Sequence, residues 1–331
     1  MKHFEKIGQF RDVIRLVRDQ HDFQGLDENG QAIMNHLTPY PTITFTGTVK
    51  LHGTNSGVEF DGDGNYTCQS RTRVIEPGDD NMGFAKFISE IPDDSPLFSV
   101  LRNGTLYGEW CGSGIQKSVA ICELPKMFVL FSYFTDRFHN INDLELFDDD
   151  LIALNEQNIY TINQFKQYKV TVDFNDPKAS LEELQSIVDE IEGQCPVGKH
   201  FGVEGVGEGV VFSTPEQDLF FKCKGEKHSV RKAKTAVAID PEVLNSINEF
   251  VEMTVTENRL NQGLSWLTSL GLDVDVKQTG VFMKWIVNDI LSEELDVIKS
   301  SGLETKQVTK ALSAKARKWW FAKIDETIAV L

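Results

Sequence analysis

Thr42-Ile43-Thr44-Phe45-Thr46-Gly47-Thr48-Val49-Lys50-Leu51-His52-Gly53-Thr54-Asn55 is the stretch on which the reading of the chain turns. As far as His52 it alternates. Ile43, Phe45, Val49 and Leu51 fall on one side of an extended strand; Thr42, Thr44, Thr46, Thr48, Lys50 and His52 fall on the other. Lys50 therefore leaves the sheet on its polar face, just ahead of Gly53, whose missing side chain permits a tight turn. A lysine so placed is either a solvated strand end or a nucleophile, and the residues downstream decide between the two.

Four further strand-like segments bear on that choice. Leu106-Tyr107-Gly108-Glu109-Trp110-Cys111-Gly112-Ser113-Gly114-Ile115-Gln116-Lys117 sets a carboxylate in an apolar strand, followed by glycines that let a backbone approach a ligand. Glu109 is then either a solvated strand end or a ligand contact. In Val206-Gly207-Glu208-Gly209-Val210-Val211-Phe212, alternation puts Glu208 on the face of Val206, Val210 and Phe212. A carboxylate there needs a partner, a basic side chain or a divalent metal, because an unpaired buried charge is costly. In Leu219-Phe220-Phe221-Lys222-Cys223-Lys224 the two lysines share a face. They fit either an anion such as a phosphate chain or an exposed edge strand. Phe128-Val129-Leu130-Phe131 offers rings for core packing or for stacking on a purine.

The chain has 331 residues, ample for two domains, and five cysteines (68, 111, 122, 195 and 223) that form no CxxC pair. Odd, scattered cysteines argue against a disulfide framework or a zinc site and for a reducing, cytoplasmic setting. No apolar run approaches the roughly 18 residues of a membrane span, and the opening Met1-Lys2-His3-Phe4-Glu5-Lys6 lacks the apolar core of a secretory signal. Net charge is −17, which disfavours a nucleic-acid partner until its distribution is considered. Acid gathers at 143–150 and 173–192. Base gathers at Lys222, Lys224, Lys227, Arg231, Lys232 and Lys234, and again at Lys306, Lys310, Lys315, Arg317, Lys318 and Lys323. Such a division permits salt-sensitive polyanion binding along one track, although helical charge runs are also ordinary solvated faces.

Along the chain, Ile7, Phe10, Val13, Ile14 and Val17 predict an amphipathic helix over 5–20. Short strands follow at 57–60, 66–70, 105–110 and 127–134, the first two joined by the turn Asp61-Gly62-Asp63-Gly64-Asn65. Ser180-Leu181-Glu182-Glu183 reads as a capping box opening a helix that turns Leu181, Leu184, Ile187, Val188 and Ile191 inward. Strands return at 205–213 and 219–224. After about 235 the pattern becomes helical: Asp240-Pro241 starts one helix, with Val243, Leu244, Ile247, Phe250 and Val251 at helical spacing. Further helices are expected over 257–270, 279–300 and 303–329, broken at Gly271 and Gly302. The expectation is an α+β domain over 1–234 and a helical domain over 238–331.

Together these residues describe a pocket holding a candidate nucleophile, two carboxylates, two lysines and an aromatic plate. The set suits attack of an amine on a nucleotide α-phosphate. A free lysine titrates at about 10.4, so only a fraction of order 10⁻³ to 10⁻⁴ is neutral near pH 7. Neighbouring cations, whether Mg²⁺ or the ammoniums of Lys222 and Lys224, would favour the neutral nucleophile and stabilise charge on the phosphates.

The order and spacing resemble the motif series of the covalent nucleotidyltransferases: DNA ligases, RNA ligases and capping enzymes. The spelling Lys50-x-His52-Gly53-Thr54-Asn55, with Gly108-Glu109-x-x-Gly112-x-Gly114-Ile115-Gln116-Lys117, is similar to that of the phage RNA ligase 2 family. DNA ligases and capping enzymes usually carry Asp at the position of His52. The resemblance spans roughly 42–234. It implies a nucleotidyltransferase domain of antiparallel sheets with flanking helices, related to the ATP-grasp-like ligase adenylation domains, and then a small all-helical domain that binds RNA.

It further implies an ATP-dependent ligase that carries AMP on Lys50, passes it to the 5′-phosphate of an RNA and seals that end to a 3′-hydroxyl. Nicked or bridged duplex RNA is the implied partner, Mg²⁺ or Mn²⁺ the implied metal, and a monomer in an infected cell the implied setting. His52 fills its motif position, and Asn55 would orient groups during sealing. Arg71 would contact phosphate, Glu109 would hold a ribose hydroxyl, and Phe131 would stack on adenine. Glu208 would serve the metal, while Lys222 and Lys224 would bind the phosphates. Val49 stands where the family often has an acidic residue that meets the adenine amino group, so only its backbone carbonyl could serve there. The rival readings are a DNA ligase, a capping-type enzyme, or a catalytically silent nucleic-acid-binding relative.

Overall fold

The computed structural model describes residues 1–4, 7–36, 39–214, 218–225, 247–300 and 302–329. The chain opens with β1 (Gly8–Gln9), α1 (Phe10–Asp22) and a hairpin of β2 (Phe23–Leu26) and β3 (Ala32–Met34). Next come β4 (Thr42–Val49), β5 (Thr54–Asp61), β6 (Tyr66–Ser70), β7 (Val74–Ile75), α2 (Phe84–Ser89), β8 (Asn103–Cys111), β9 (Met127–Phe134) and β10 (Phe138–Asn140). They are followed by α3 (Asp148–Glu156), β11 (Ile159–Thr161), β12 (Gln167–Asp173), α4 (Leu181–Gly193), α5 (Pro196–His200), β13 (Gly209–Ser213) and β14 (Phe220–Lys224). Helices α6 (Ile247–Thr254), α7 (Glu257–Ser269), α8 (Thr279–Ser300) and α9 (Thr305–Ala329) complete the described chain.

Two antiparallel-rich sheets organise the first part. One runs β1-β14-β13-β4-β12 among the described residues, with β4 antiparallel to both neighbours and the short β1 lying parallel to β14. The other runs β10-β9-β8-β5-β6-β7, with β11 added in parallel to β9. The alternation that opens the sequence gives the first sheet its apolar face. Phe45 and Val49 are buried there with Val210, Phe212 and Phe221, and Phe212 stacks on Phe221 at 4.9 Å. Helix α1 adds Phe10, Val13 and Val17 to this core, Phe10 lying 4.9 Å from Phe221.

The turn expected at 61–65 joins β5 to β6, with Asp61 Oδ1 accepting from the backbone of Asp63 and Asn65. The expected capping box at Ser180 does not form. Pro177–Ser180 is a 3₁₀ turn that runs directly into α4, so Ser180 already has helical φ and ψ and caps nothing. Its hydroxyl instead points to the Thr171 carbonyl at 3.5 Å. Leu184, Val188 and Ile191 are nevertheless the buried residues of that helix.

The chain divides into compact units Met1–Cys223 and Lys224–Leu331. The boundary expected between 234 and 238 lies outside the described residues, as do Lys227, Arg231, Lys232, Lys234, Asp240, Pro241, Val243 and Leu244. Among its described residues the second unit is helical around its own core, in which Phe282 stacks on Trp320 at 4.3 Å. Helices α7, α8 and α9 lie on the periodic segments read from sequence, separated near Gly271 and Gly302. No helix among the described residues is long and apolar enough to cross a membrane.

Candidate functional site

Lys50 directly follows β4, and its backbone N–H donates to the Gly209 carbonyl at 2.8 Å, so the end of the strand is tied to β13. Val49 faces the core, paired with Val210 and 3% exposed; the next side chain, Lys50, emerges on the opposite face. There Lys50 Nζ donates to Glu208 Oε2 at 2.8 Å, and His52 Nδ1 lies 3.0 Å from the same oxygen. Glu208 is 2% exposed. A carboxylate taken so far out of water loses several kcal/mol of solvation unless charged or polar groups replace it. Lys50 and His52 do so while keeping about a fifth of their own side-chain surface open, at 22% and 21%.

Sequence alternation put Glu208 with Val210 and Phe212, and the structure corrects this. Gly209 takes φ +148°, a backbone conformation that favours glycine, and breaks the alternation immediately before β13. Glu208 thereby lies with Lys50 and not with the core of the sheet. Its partners there are Lys50 and His52.

The turn Leu51-His52-Gly53 carries the chain from the first sheet to the second. Gly53 N–H donates to Glu109 Oε1 at 3.0 Å, and Gln116 Nε2 donates to the Gly53 carbonyl at 3.4 Å. A side chain at position 53 has nowhere to go: a Cβ would meet the Trp110 carbonyl oxygen at 2.2 Å. Glu109 lies on β8 directly opposite Asn55 on β5, and paired residues of antiparallel strands share a face. Burial raises the Glu109 carboxyl above its ordinary value; Lys50 and Arg71 oppose this, and Glu208 reinforces it. These influences bring Lys50, Arg71, Glu109 and Glu208 into one electrostatic neighbourhood, with Arg71 exposed just beyond β6.

Lys222 and Lys224 alternate with buried Phe221 and Cys223, so both lie on the face of β14 away from the core. That strand is not an edge: β1 lies outside it, with Gln9 beside Lys222. Phe131 sits where the β8–β9 register slips between Tyr107 and Gly108, and is half-buried. Its ring meets Phe4 edge-on at 5.0 Å. Phe4 carries no periodic signal in the sequence and went unread there, like the neighbouring His3, whose Nδ1 lies 2.8 Å from the Arg71 carbonyl oxygen. All five cysteines are free; burial pushes the thiols of Cys68 and Cys223 up to about 12, as expected of inert core residues.

No group of three or more His, Cys, Asp or Glu among the described residues could by itself hold a metal ion. The Glu208 carboxylate is an oxygen donor of the kind that fits Mg²⁺ or Mn²⁺ bound chiefly by phosphates and water, with one or two protein carboxylates.

A lysine bonded to a buried carboxylate, with a second carboxylate and a guanidinium in the same electrostatic neighbourhood, is the chemistry the site offers, and comparison with known proteins gives the class. The RNA ligase family model matches residues 43–234, and the chain belongs to the RNA ligase family. Its fold is similar to solved structures of a Naegleria gruberi RNA ligase. One, with pyrophosphate, aligns at 16% identity and TM-score 0.39, over 68% of this chain and 56% of that one. A mutant with ATP and Mn aligns at 17% identity and TM-score 0.38, over 66% and 55%. A mutant with AMP and Mn aligns at 16% and 0.39, over 68% and 56%. The chain therefore spans little more than half the length of these solved chains.

Proposed function

We propose that this chain is an ATP-dependent RNA ligase that stores AMP on Lys50, transfers it to an RNA 5′-phosphate and seals that end to a 3′-hydroxyl. The observation that carries the reading is the meeting of Lys50 Nζ with the buried Glu208 carboxylate at 2.8 Å, in the electrostatic neighbourhood of Glu109 and Arg71. In the first step a bond forms from Nζ to the α-phosphorus, the bond to the bridging oxygen breaks, and pyrophosphate leaves with the electron pair. Glu208 Oε2 is within hydrogen-bond reach of the proton Nζ must shed.

Arg71, Lys222 and Lys224 supply positive charge for the phosphates, Glu109 an acceptor for a ribose hydroxyl, and Phe131 a ring for the base. Asn55, opposite Glu109, and His52, on Glu208, would orient groups around the adenylate. Val49 can contribute only its backbone, its side chain being in the core. Mg²⁺ or Mn²⁺, bound near Glu208 and the phosphates, would neutralise charge on the nucleotide.

The finer assignment we favour is the phage RNA ligase 2 group acting on nicked or bridged duplex RNA, as a monomer in the cytoplasm of an infected cell. Residues 1–234 would form the adenylyltransferase domain, and 238–331 would grip the duplex through its backbone and shape. Incubation with ATP labelled at the α-phosphate tests the first step: the protein should become covalently labelled, and Lys50→Ala should not. Robust labelling of Lys50→Ala would sink the mechanism. Replacing ATP by GTP, and RNA by DNA on each side of a nick, separates this reading from a capping-type enzyme or a DNA ligase. Binding of nicked RNA without any labelling would mark a silent relative.

A further inference from the structure

The segment at residues 2–4 lies across the second sheet on the face that carries Glu109 and Asn55, and each of its residues is held there. The Lys2 carbonyl accepts from Gln69 Nε2 and from the Tyr107 hydroxyl, both at 2.7 Å. Tyr107 lies two residues before Glu109 on β8, and Gln69 sits opposite Gly57 on β6. Lys2 Nζ rests 4.8 Å from the centre of the Phe134 ring. His3 Nδ1 lies 2.8 Å from the Arg71 carbonyl oxygen, and because a carbonyl only accepts, that nitrogen carries the hydrogen.

Phe4 is 8% exposed and touches four aromatic rings: Phe131 at 5.0 Å, Phe138 at 5.2 Å, Tyr107 at 5.4 Å and Phe220 at 6.1 Å. Three of these belong to the second sheet. Phe220 belongs to the first, on the same face of β14 as Lys222. A few residues on, Gly8 and Gln9 pair with Phe221 and Lys222. The segment thus meets both sheets beside residues of the candidate site.

We propose that residues 2–4 are a working wall of the nucleotide site. Phe4 fixes the Phe131 ring against which the base stacks, and His3 fixes the backbone from which Arg71 reaches the phosphates. Both are positioning residues, and the inference rests on the proposed adenylation at Lys50. Two observations support this role. The segment bonds to residues far along the chain, Tyr107 on the strand of Glu109, Gln69 on β6 and the backbone of Arg71 just beyond it. Phe131 is the residue of β9 skipped in the pairing with β8, and the Phe4 ring packs edge-on against it. Edge-on rings are worth enough that losing one shifts an equilibrium by about three- to tenfold.

The test compares Phe4→Leu, His3→Ala and His3→Asn with the unsubstituted chain, scoring the KM for ATP and the maximal rate of Lys50 adenylation alongside the thermal midpoint. Phe4→Leu keeps an apolar side chain and removes the ring; it should raise the KM about three- to tenfold and leave the maximal rate within about twofold. His3→Ala should lower the maximal rate about tenfold, and His3→Asn, whose amide can donate from nearly the same point, should restore most of it. On an Arg71→Ala background, His3→Ala should cost nothing more.

Equilibrium binding of ATP to Lys50→Met gives a readout free of the covalent step, and adding Phe4→Leu should weaken it by the same factor. Unchanged KM and Kd in Phe4→Leu, or losses in both His3 variants that simply track the thermal midpoint, overturn the wall while leaving adenylation intact. Absence of labelling in the unsubstituted protein overturns the functional reading, with the Kd comparison still deciding the wall. An unsubstituted chain and a Lys50→Met protein that both fail to bind ATP overturn both.

Discussion

Two buried charges in this molecule are handled in opposite ways. In the first unit Glu208, 2% exposed, is held by Lys50 and His52, each with about a fifth of its side chain open. In the second, Arg259 is fully buried and is held by Asp289, Glu293 and Glu294, with Nη2 2.6 Å from Glu293 Oε2 and Nη1 donating to the Thr254 carbonyl at 3.1 Å. Both satisfy a charge that the interior would otherwise reject. The difference is which partner remains reachable. At Glu208 the buried group is the anchor and the open groups can meet a ligand. At Arg259 a planar guanidinium ties α7 to α8, the geometry of a staple.

The comparison makes definite demands. The largest expected effect is at Lys50, where Lys50→Ala should reduce covalent labelling from α-labelled ATP to background, whereas Arg259→Met should leave labelling detectable. Glu208→Ala comes next. It removes the carboxylate that accepts from Lys50 Nζ, and the rate of labelling at saturating ATP should fall about a hundredfold or more. Stability should rank the other way. Arg259→Met strands three carboxylates and should cost about 3–5 kcal/mol in denaturant unfolding. Lys50→Met leaves Glu208 its His52 partner at 3.0 Å, and should cost about 1–3 kcal/mol. If Lys50→Met proved the more destabilising of the two, the contrast between anchor and staple would be wrong.

The smallest effect concerns Glu109. Its folded carboxyl is raised above the ordinary glutamate value by burial, so the native protein holds that proton more tightly than the unfolded chain does. The resulting stability is present in full below the ordinary glutamate value and is lost as pH rises through the raised one. Glu109→Gln, which can still accept from Gly53 N–H, removes the dependence. Compared by denaturant unfolding across that window, the unsubstituted protein should lose ground to the variant as pH rises. ATP binding should move in the opposite sense, because the amide is a poorer acceptor for a ribose hydroxyl.

Much of this was legible because the local signal and the fold agree. The alternation through Val49 and the glycine-broken helices after 256 are periodic over many residues, and packing kept them. Where the sequence misled, a single residue altered the geometry. Gly209 turned Glu208 onto the other face, and the 3₁₀ turn at Pro177–Ser180 spent the hydroxyl that would have capped α4. Strand β12 is a different case. Buried Tyr168, Val170 and Val172 alternate with exposed neighbours, a readable pattern overshadowed by the acidic run that begins at Asp173. The hairpin of β2 and β3 leaves Phe23, Leu26, Ile33 and Met34 exposed and so lacks a one-sided pattern to read. Phe4 and Arg259 were not legible at all, since their partners lie far along the chain and no spacing announces them.

The gap between the two sheets beside Lys50 is gauged by one hydrogen atom. With the Trp110 carbonyl 2.2 Å from where a Cβ would stand, even alanine at position 53 would have to pry the Lys50 turn away from β8. The same displacement would stretch the bond from Gly53 to Glu109, so the reach of the amine and the seat of its neighbouring carboxylate cannot be altered separately. Position 53 therefore works as a spacer of fixed thickness, through which any change on one sheet is felt as misalignment on the other.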